Sequence, residues 1–236
     1  MEKQLKTDVR GLLGRLPLFA AVDVESLDRI AGSVTEHRLA RGEVLFRQNS
    51  PCTGFYLVAH GQIKLAVTAP NGNEKVLELI PAHMSFGEAV MFMDKPYMVF
   101  AQALADSLLL HISKSAILDE IERDPMLGRK MIASLSMRLH HLITDVESYS
   151  LHSGRQRIIG YLLRDNMERD AQSLTVTLPT SKGVIASRLN LTQEHFSRIL
   201  HELSALELIK VEGRRLRIPD LESLARHQCE LAASGR

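Results

Sequence analysis

Residues 181–206 read SKGVIASRLNLTQEHFSRILHELSAL, and this stretch decides the fold of the C-terminal part of the chain. The pattern predicts a helix over Ser181 to Leu189, a turn at Asn190-Leu191 and a second helix over Thr192 to Leu206. Thr192 supplies a hydroxyl at the N-cap of that second helix. Residues 208–218 then predict a hairpin with basic residues near its tip. Helix, short turn, helix and basic hairpin together predict a winged helix-turn-helix.

The second of these helices has two chemically different faces. An apolar face, expected to pack on the first helix, consists of Phe196, Ile199, Leu200 and Leu203. Polar side chains at i, i+3, i+4 and i+7 share the other face; they are Glu194, Ser197, Arg198 and His201. Arginine can donate two hydrogen bonds to guanine, and a carboxylate can accept one from cytosine. We therefore expect Glu194, Ser197 and Arg198 to face the bases of double-stranded DNA. The alternative is that Glu194 and Arg198 form only a solvated i,i+4 pair.

Contacts with DNA phosphates are expected around this helix. Thr192 and Gln193 lie at its N-terminus, where backbone N–H groups also favour an anion. The basic candidates for further phosphate contacts are Lys182, Arg188, Arg214, Arg215 and Arg217. Residues 153–236 carry 13 Lys and Arg against 10 Asp and Glu, whereas residues 1–152 carry 16 against 18. This mild asymmetry permits nucleic-acid binding by the C-terminal part without proving it.

The segment from Gly42 to Ser113 has the pattern of a β domain. Short apolar runs are separated by turn residues, and they cover residues 43–46, 54–58, 62–67, 75–79 and 107–112. Such runs at regular spacing predict a β sandwich or barrel. Pro70-Asn71-Gly72-Asn73 predicts a hairpin within it. Helices are predicted on either side, over Val24 to Val34 and Ser113 to Arg123.

A long helix is predicted to begin at Asp124-Pro125 and to end at His152-Ser153-Gly154. Its apolar residues recur at alternating steps of three and four, at Ile132, Leu135, Leu139, Leu142, Val146 and Tyr149. This heptad favours a two-stranded coiled coil and hence a homodimer; the alternative is that the stripe packs on its own domain. A further amphipathic helix is predicted over Gln156 to Asn166, and a strand over Leu174 to Leu178. The expected domains are residues 1–123, 124–152 and 153–236.

Several functional classes are not supported by the sequence. It contains no P-loop, nucleophile elbow, HExxH or paired-cysteine zinc motif, so an enzyme is not expected. No apolar run approaches the roughly 20 residues of a membrane span, and the first residues lack an export signal. Cys52 and Cys229 lie far apart, which indicates reduced thiols in a cytoplasmic protein and excludes an iron–sulfur cluster held by cysteines alone.

The order of these parts resembles the Crp/Fnr superfamily of bacterial transcription regulators over nearly the whole chain. The likeness rests on Gly42-Glu43-Val44-Leu45-Phe46, Gly61-Gln62-Ile63-Lys64-Leu65, Phe86-Gly87-Glu88 and Gln193-Glu194-His195-Phe196-Ser197-Arg198. The resemblance implies an α+β fold: an N-terminal β-roll like the jelly roll of cyclic-nucleotide-binding domains, a long dimerisation helix and a C-terminal winged helix-turn-helix. It also implies a homodimer that binds palindromic promoter DNA and contacts RNA polymerase. Members commonly act as activators, and some repress.

The Glu-x-x-Ser-Arg pattern at Glu194, Ser197 and Arg198 resembles the Fnr-type reading helix. By that resemblance the expected half-sites are of the TTGAT type rather than the TGTGA of the cyclic-AMP branch. The two-fold axis of the dimer would place them about one helical turn apart.

The expected effector differs from the cyclic nucleotide. In cyclic-nucleotide binders of this superfamily, an arginine followed by serine or threonine lies about ten residues beyond the motif glutamate, but here Met98-Val99 stands there. Neither side chain can neutralise a phosphate. The expected effector pocket is apolar, and its residues are Phe86, Gly87, Glu88, Met91, Met93 and Met98, with Phe92 and Phe100 nearby.

The segment 86–96 resembles the Dnr-type branch, whose members respond to nitric oxide through bound haem. Haem needs an apolar slot and an axial ligand. The candidate ligands are His83, which stands where the superfamily usually places a turn glycine, and His140 on the long helix. The alternatives are a small organic effector, or redox sensing through Cys52.

Overall fold

A computed structural model describes residues 9–14, 19, 22–70, 72–164 and 174–234. The chain divides into two compact units, Met1–His140 and His141–Arg236. The boundary falls within the long helix α5, Pro125–Leu151, so each unit contains part of that helix.

The first unit is a β-roll with flanking helices. Its helices are α1 (Val9–Gly14), α2 (Val24–Gly32), α3 (Glu88–Phe92), α4 (Lys114–Arg123) and the first part of α5. Its strands are β1 (Thr35–Leu39), β2 (Val44–Phe46), β3 (Gly54–His60), β4 (Gln62–Thr68), β5 (Glu74–Pro81), β6 (Ser85–Phe86), β7 (Phe100–Ala103) and β8 (Ser107–Ser113). They form two antiparallel four-stranded sheets, in the orders β1-β8-β3-β6 and β2-β7-β4-β5.

Two hydrophobic cores hold this unit together. Between the sheets, Val58 and Leu109 from one sheet pack with Ile63 and Ala101 from the other. On the opposite face of the first sheet, alternate residues such as Leu110 pack against the helices. Because Leu109 and Leu110 of β8 face different cores, β8 contains three consecutive leucines at residues 108–110 rather than a strict apolar–polar alternation.

The predicted β domain and its flanking helices are confirmed, with three strands that the sequence analysis did not find. Strand β1 has the sequence TEHRL and is mostly exposed, so it carries no apolar pattern. β6 has only two residues, and β7 only four. The hairpin between β4 and β5 forms as predicted, with Thr68 opposite Glu74 and Gly72 at φ 82°. Asn71, within that predicted turn, lies outside the described residues.

The second unit contains a winged helix-turn-helix. Its helices after α5 are α6 (Gly154–Arg164), α7 (Lys182–Arg188), α8 (Gln193–Ala205) and α9 (Leu221–Ser234). A three-stranded antiparallel sheet is formed by β9 (Leu174–Thr177), β10 (Lys210–Glu212) and β11 (Arg215–Ile218), in the order β10-β11-β9. The predicted helix-turn-helix, wing and break between α5 and α6 are therefore confirmed. The last two residues of the helix predicted over Gln156 to Asn166 lie outside the described residues.

Candidate functional site

Helix α8 is fixed in place through its cap and its apolar face. The Thr192 hydroxyl accepts a hydrogen bond from the backbone N–H of His195 at 3.2 Å and caps the helix. Asn190, in the preceding turn, adopts φ 58°, a conformation that asparagine tolerates better than most residues. The apolar face is buried as predicted, at Phe196, Ile199, Leu200 and Leu203. The orientation of the opposite face is thereby set.

The predicted base-reading side chains lie together on that opposite face. Glu194 and His201 are exposed, Ser197 is half-buried, and the side chain of Arg198 is 68% exposed. Arg198 Nε lies 3.9 Å from a carboxylate oxygen of Glu202. At this spacing an exposed pair contributes little stability, so the guanidinium of Arg198 is available to a ligand.

Glu202 also forms an ion pair with Arg155 at the start of α6. The hydrogen bond from Arg155 holds the pKa of Glu202 below its usual range. No local sequence pattern predicts this ion pair, because the two residues lie 47 positions apart. It connects the helix that carries Arg198 to α6.

The predicted phosphate-contacting residues fall into two groups: those whose side chains are exposed or half-buried without a described ion pair, and Arg188. Arg214, Arg215 and Arg217 in the wing are exposed, as are Thr192 and Gln193 at the start of α8. Lys182 is half-buried at the start of α7. These six side chains remain candidates for phosphate contacts.

Arg188, the remaining candidate, is committed to contacts within the chain. Its guanidinium forms an ion pair with Asp145 on α5, whose side chain is 10% exposed, and donates to the hydroxyl of Tyr149. The Tyr149 hydroxyl in turn donates to the backbone carbonyl of Arg188 at 2.5 Å. Arg188 is therefore removed from the candidate phosphate-contacting set. The sequence around Arg188 does not show that this residue binds a carboxylate 43 positions away.

The Phe86-Gly87-Glu88 motif forms the turn from β6 into α3. Gly87 has φ 98°, which side-chain-bearing residues rarely adopt. Glu88 is only 4% exposed. A buried carboxylate needs a charged or hydrogen-bonding partner.

Arg138 of α5 provides that partner. One guanidinium nitrogen donates to Glu88 Oε2 at 3.1 Å, and another donates to the backbone carbonyl of Ser85. Its Nε lies 3.4 Å from Glu78 Oε1 on β5. The motif is thereby tied to the long helix within the first unit. No local sequence pattern predicts Arg138 as the partner, because it lies 50 residues from Glu88.

The six residues of the predicted effector pocket do not share one lining. Phe86 belongs to the core between the sheets, whereas Met91 belongs to the core under the helices. Met93 and Met98 are exposed, at 46% and 58%. The prediction of one apolar pocket from these residues is not met in this conformation.

The residues around the motif do not fit a haem in this conformation. Aromatic rings fill the space beside the motif: Phe86 stacks on Tyr56 at 5.5 Å between ring centres, and Phe46 on Tyr97 at 3.6 Å. His83 is exposed and has φ 69°, at the turn where the superfamily places glycine. His140 is exposed on α5. The described side chains therefore do not combine an apolar slot with an axial ligand.

Helix α5 carries an uncovered apolar stripe. Ile132, Leu139, Leu142 and Val146 of the predicted heptad are 66%, 60%, 50% and 63% exposed. Leu135 and Tyr149 are half-buried. On another face of the same helix, Met131, Arg138 and Asp145 recur every seven residues and contact their own unit. Four side chains of the stripe are therefore uncovered, whereas Tyr149 at its end contacts Arg188 within the second unit.

Known protein families match both parts of this architecture. A model of the cyclic nucleotide-binding domain matches residues 36–124, and a model of the Crp-like helix-turn-helix domain matches residues 156–227. The crystal structure of DNR from Pseudomonas aeruginosa is 33% identical, covering 96% of this chain and 99% of that chain, with a TM-score of 0.51. The chain belongs to the Crp/Fnr family.

Other members of the Crp/Fnr family show the same likeness. The cyclic AMP receptor protein of Thermus thermophilus is 28% identical over 83% of this chain and 88% of its own length. FixK2 from Bradyrhizobium japonicum shares the fold, with a TM-score of 0.71 at 20% identity over 82% of this chain and 96% of that chain. The chain is accordingly a Crp-like transcriptional regulator and not an enzyme. Among its described helices, none has both the length and the apolar character needed to cross a membrane.

Proposed function

We propose that this Crp/Fnr regulator acts as a homodimer that reads a TTGAT-like palindrome with α8. The observation that carries the proposal is the exposed guanidinium of Arg198 on a helix whose opposite face is fully buried. Arg198 donates to guanine, Glu194 accepts from cytosine, and Ser197 lets the helix approach the base edges. His201 lies one turn further along the same face. Phosphate contacts come from Thr192, Gln193, Lys182, Arg214, Arg215 and Arg217.

The exposed stripe of α5 supports the dimer. Fully burying a leucine or isoleucine side chain is worth about 1.5–3 kcal/mol, so each half-exposed side chain of the stripe stands to gain roughly 1 kcal/mol from a partner helix. Both copies contribute the same residues, as a two-fold interface requires. A dimer presents two copies of α8 to successive major grooves, and hence to two half-sites. RNA polymerase is the proposed protein partner at the promoter.

A binding assay tests the DNA-reading role. Fluorescence anisotropy at fixed salt compares a TTGAT palindrome with a TGTGA palindrome and a scrambled duplex. We expect the wild-type protein to prefer the first, and Arg198→Ala to lose that preference. Arg226→Ala, on α9, is the matched control and should behave as wild type. Equal binding of the wild-type protein to all three duplexes would reject the proposal.

We further propose that the effector is not a cyclic nucleotide. Two observations support this: Met98-Val99 stands where a phosphate-binding arginine is expected, and Arg138 already engages Glu88. Some relatives carry names that state activation by cyclic AMP, such as the regulator of Mycobacterium tuberculosis at 22% identity. Calorimetric titration with cyclic AMP decides the point. Stoichiometric binding at micromolar concentration would refute the proposal.

In the proposed mechanism, the effector binds between the β-roll and α5 and acts through the Glu88–Arg138 contact. The effector favours one of two packings of the dimer helices, and only its differential affinity for the two states shifts the equilibrium. Haem that senses nitric oxide is the effector implied by the Dnr-type resemblance. The motif residues do not fit haem in this conformation, and the proposed mechanism does not depend on haem. A Soret band of one haem per chain that shifts with nitric oxide would support haem; its absence would favour an organic ligand.

Redox sensing through Cys52 is the second candidate. Cys52 is a free, half-buried thiol that packs against both cores of the first unit and donates to the carbonyl of Gly54 at 3.2 Å. Oxidation would place a polar group between those cores. A Cys52→Ser protein whose DNA affinity no longer responds to peroxide would favour this candidate over a bound effector.

A further inference from the structure

The turn between α7 and α8 is held by side chains from outside the helix-turn-helix. Carbonyls at the end of a helix lack an N–H partner within it and need donors from elsewhere. Three consecutive carbonyls, those of Arg188, Leu189 and Asn190, accept hydrogen bonds from side chains of α5 and α6. The position of the turn is therefore set by two other helices as well as by its own backbone.

Two side chains donate these hydrogen bonds. The Tyr149 hydroxyl, near the end of α5, donates to the carbonyl of Arg188 at 2.5 Å and accepts from the Arg188 guanidinium. Arg157 on α6 donates from Nη1 to the carbonyl of Leu189 at 2.8 Å and to that of Asn190 at 3.2 Å. The Arg157 guanidinium also lies over the Tyr149 ring, 6.0 Å from its centre. We call Tyr149 and Arg157 the turn clamp.

The backbone held by the turn clamp leads directly into the reading helix. Asn190 lies in the turn with φ 58°, and Thr192 caps α8 two residues later. A shift of the turn therefore moves Arg198 relative to the base edges. Arginine reads guanine through two hydrogen bonds at once, and a displacement of roughly 1 Å takes such bonds out of hydrogen-bonding range.

Tyr149 is also the last residue of the heptad of α5. It is half-buried and lies three positions beyond Val146, whose side chain is 63% exposed. In the proposed dimer the stripe packs on the α5 helix of a second copy. The Tyr149 ring then lies at the end of the dimer contact, while its hydroxyl holds the turn. One side chain thereby links the packing of α5 to the start of the reading helix.

We propose that Tyr149 and Arg157 are positioning residues for DNA reading, which transmit the packing of α5 to the turn before α8. Both act through the carbonyls of residues 188–190, without touching DNA themselves. This inference rests on the proposed palindrome-reading dimer and names the residues that regulate it. With the clamp intact, the two copies of α8 match two half-sites at one separation; without it, each copy of α8 is less strictly placed.

Binding to palindromes with different half-site separations tests the proposal. Fluorescence anisotropy at fixed salt compares the TTGAT palindrome with versions whose half-sites are one base pair closer or further apart. Each added base pair rotates a half-site by about 35° around the duplex, so wild type should prefer one separation by roughly tenfold or more. Tyr149→Phe, which removes only the hydroxyl, should reduce that preference several-fold. Tyr161→Phe, also at a half-buried tyrosine of the second unit, is the matched control and should keep it.

Arg157 provides an independent arm of the same experiment. Arg157→Met removes the donor to both carbonyls and should relax the spacing preference as Tyr149→Phe does. Arg157→Lys keeps a charged donor at this position and should restore part of the preference. A side chain that acted only on stability would instead lower the affinity for every duplex by the same factor. Urea denaturation measures the stability of each variant beside its binding.

An unchanged spacing preference in both Tyr149→Phe and Arg157→Met would overturn the proposal, and so would an equal loss of affinity at every separation. Failure of the proposed function is distinguishable, because the wild-type protein itself would then not prefer the TTGAT palindrome over a scrambled duplex. If Arg157→Met fails to fold, Tyr149→Phe decides alone, since it removes one oxygen atom and keeps the ring.

Discussion

Replacing Arg138 with methionine tests how the β-roll is tied to the long helix. The change keeps most of the apolar stem of the side chain and removes the guanidinium group with its charge. It leaves Glu88, 4% exposed, and the carbonyl of Ser85 without their guanidinium partner. Removing one member of a buried ion pair costs about 3–5 kcal/mol, because the remaining charge is uncompensated. We expect a loss of that size in the unfolding free energy of the first unit.

Urea denaturation at fixed protein concentration measures the loss, since dimerisation makes stability depend on concentration. Arg38→Met is the control: Arg38 is 61% exposed and 3.3 Å from Glu36, so its removal should change stability by less than about 1 kcal/mol.

A double-mutant cycle with Glu88→Gln isolates the pair itself. We expect the double variant to be clearly more stable than the sum of the single losses predicts, by roughly 1–3 kcal/mol. Additive losses, or an Arg138→Met protein within about 0.5 kcal/mol of wild type, would refute the assignment of Arg138 as the partner of Glu88.

Three further predictions follow from the other contacts. Leu139→Glu should convert the dimer to monomers in sedimentation velocity, whereas Met137→Glu, equally exposed at 59% but outside the heptad, should leave it dimeric. Arg188→Met should lower the stability of the second unit by about 3 kcal/mol, because it removes the guanidinium from its ion pair with the buried carboxylate of Asp145. Arg215→Met should weaken DNA binding without lowering stability; the reverse pattern would make Arg188 a phosphate contact. The hydrogen bond from Arg29 lowers the pKa of Glu120 to about 2. This pair therefore stabilises the fold fully above pH 4.5, and its contribution is lost as the pH falls towards 2. The Arg29→Met protein should be less stable than wild type at pH 7 and should lose less stability than wild type between pH 4.5 and 2.

Sequence patterns predicted the elements whose signal is local. The cap at Thr192, the apolar face of α8 and the long helix α5 each depend on residues within a few turns of one another, and the structure confirms those elements. Strand β1 was missed because its side chains are mostly exposed and polar, so pairing with β8 rather than an apolar pattern makes it a strand.

Local sequence patterns could not predict the contacts between residues that lie far apart in the chain. Arg138 and Glu88 are 50 residues apart, and Arg188 and Asp145 are 43 apart. Nothing in the local sequence distinguishes Arg188, which binds a buried carboxylate, from Arg215, which is exposed. The methionines near the motif show the same limit: Met91 is buried and Met93 is exposed, although both follow the same glutamate closely.

The most direct test of the central claim compares two duplexes with two proteins. The duplexes are the TTGAT palindrome and the same palindrome with the guanine of each half-site changed to adenine; the proteins are wild type and Arg198→Ala, measured at one salt concentration. We predict that wild type loses about 1–3 kcal/mol per half-site on the altered duplex, and that Arg198→Ala binds both duplexes equally. An Arg198→Ala protein that keeps the wild-type preference for guanine would contradict the assignment of α8 as the reading helix.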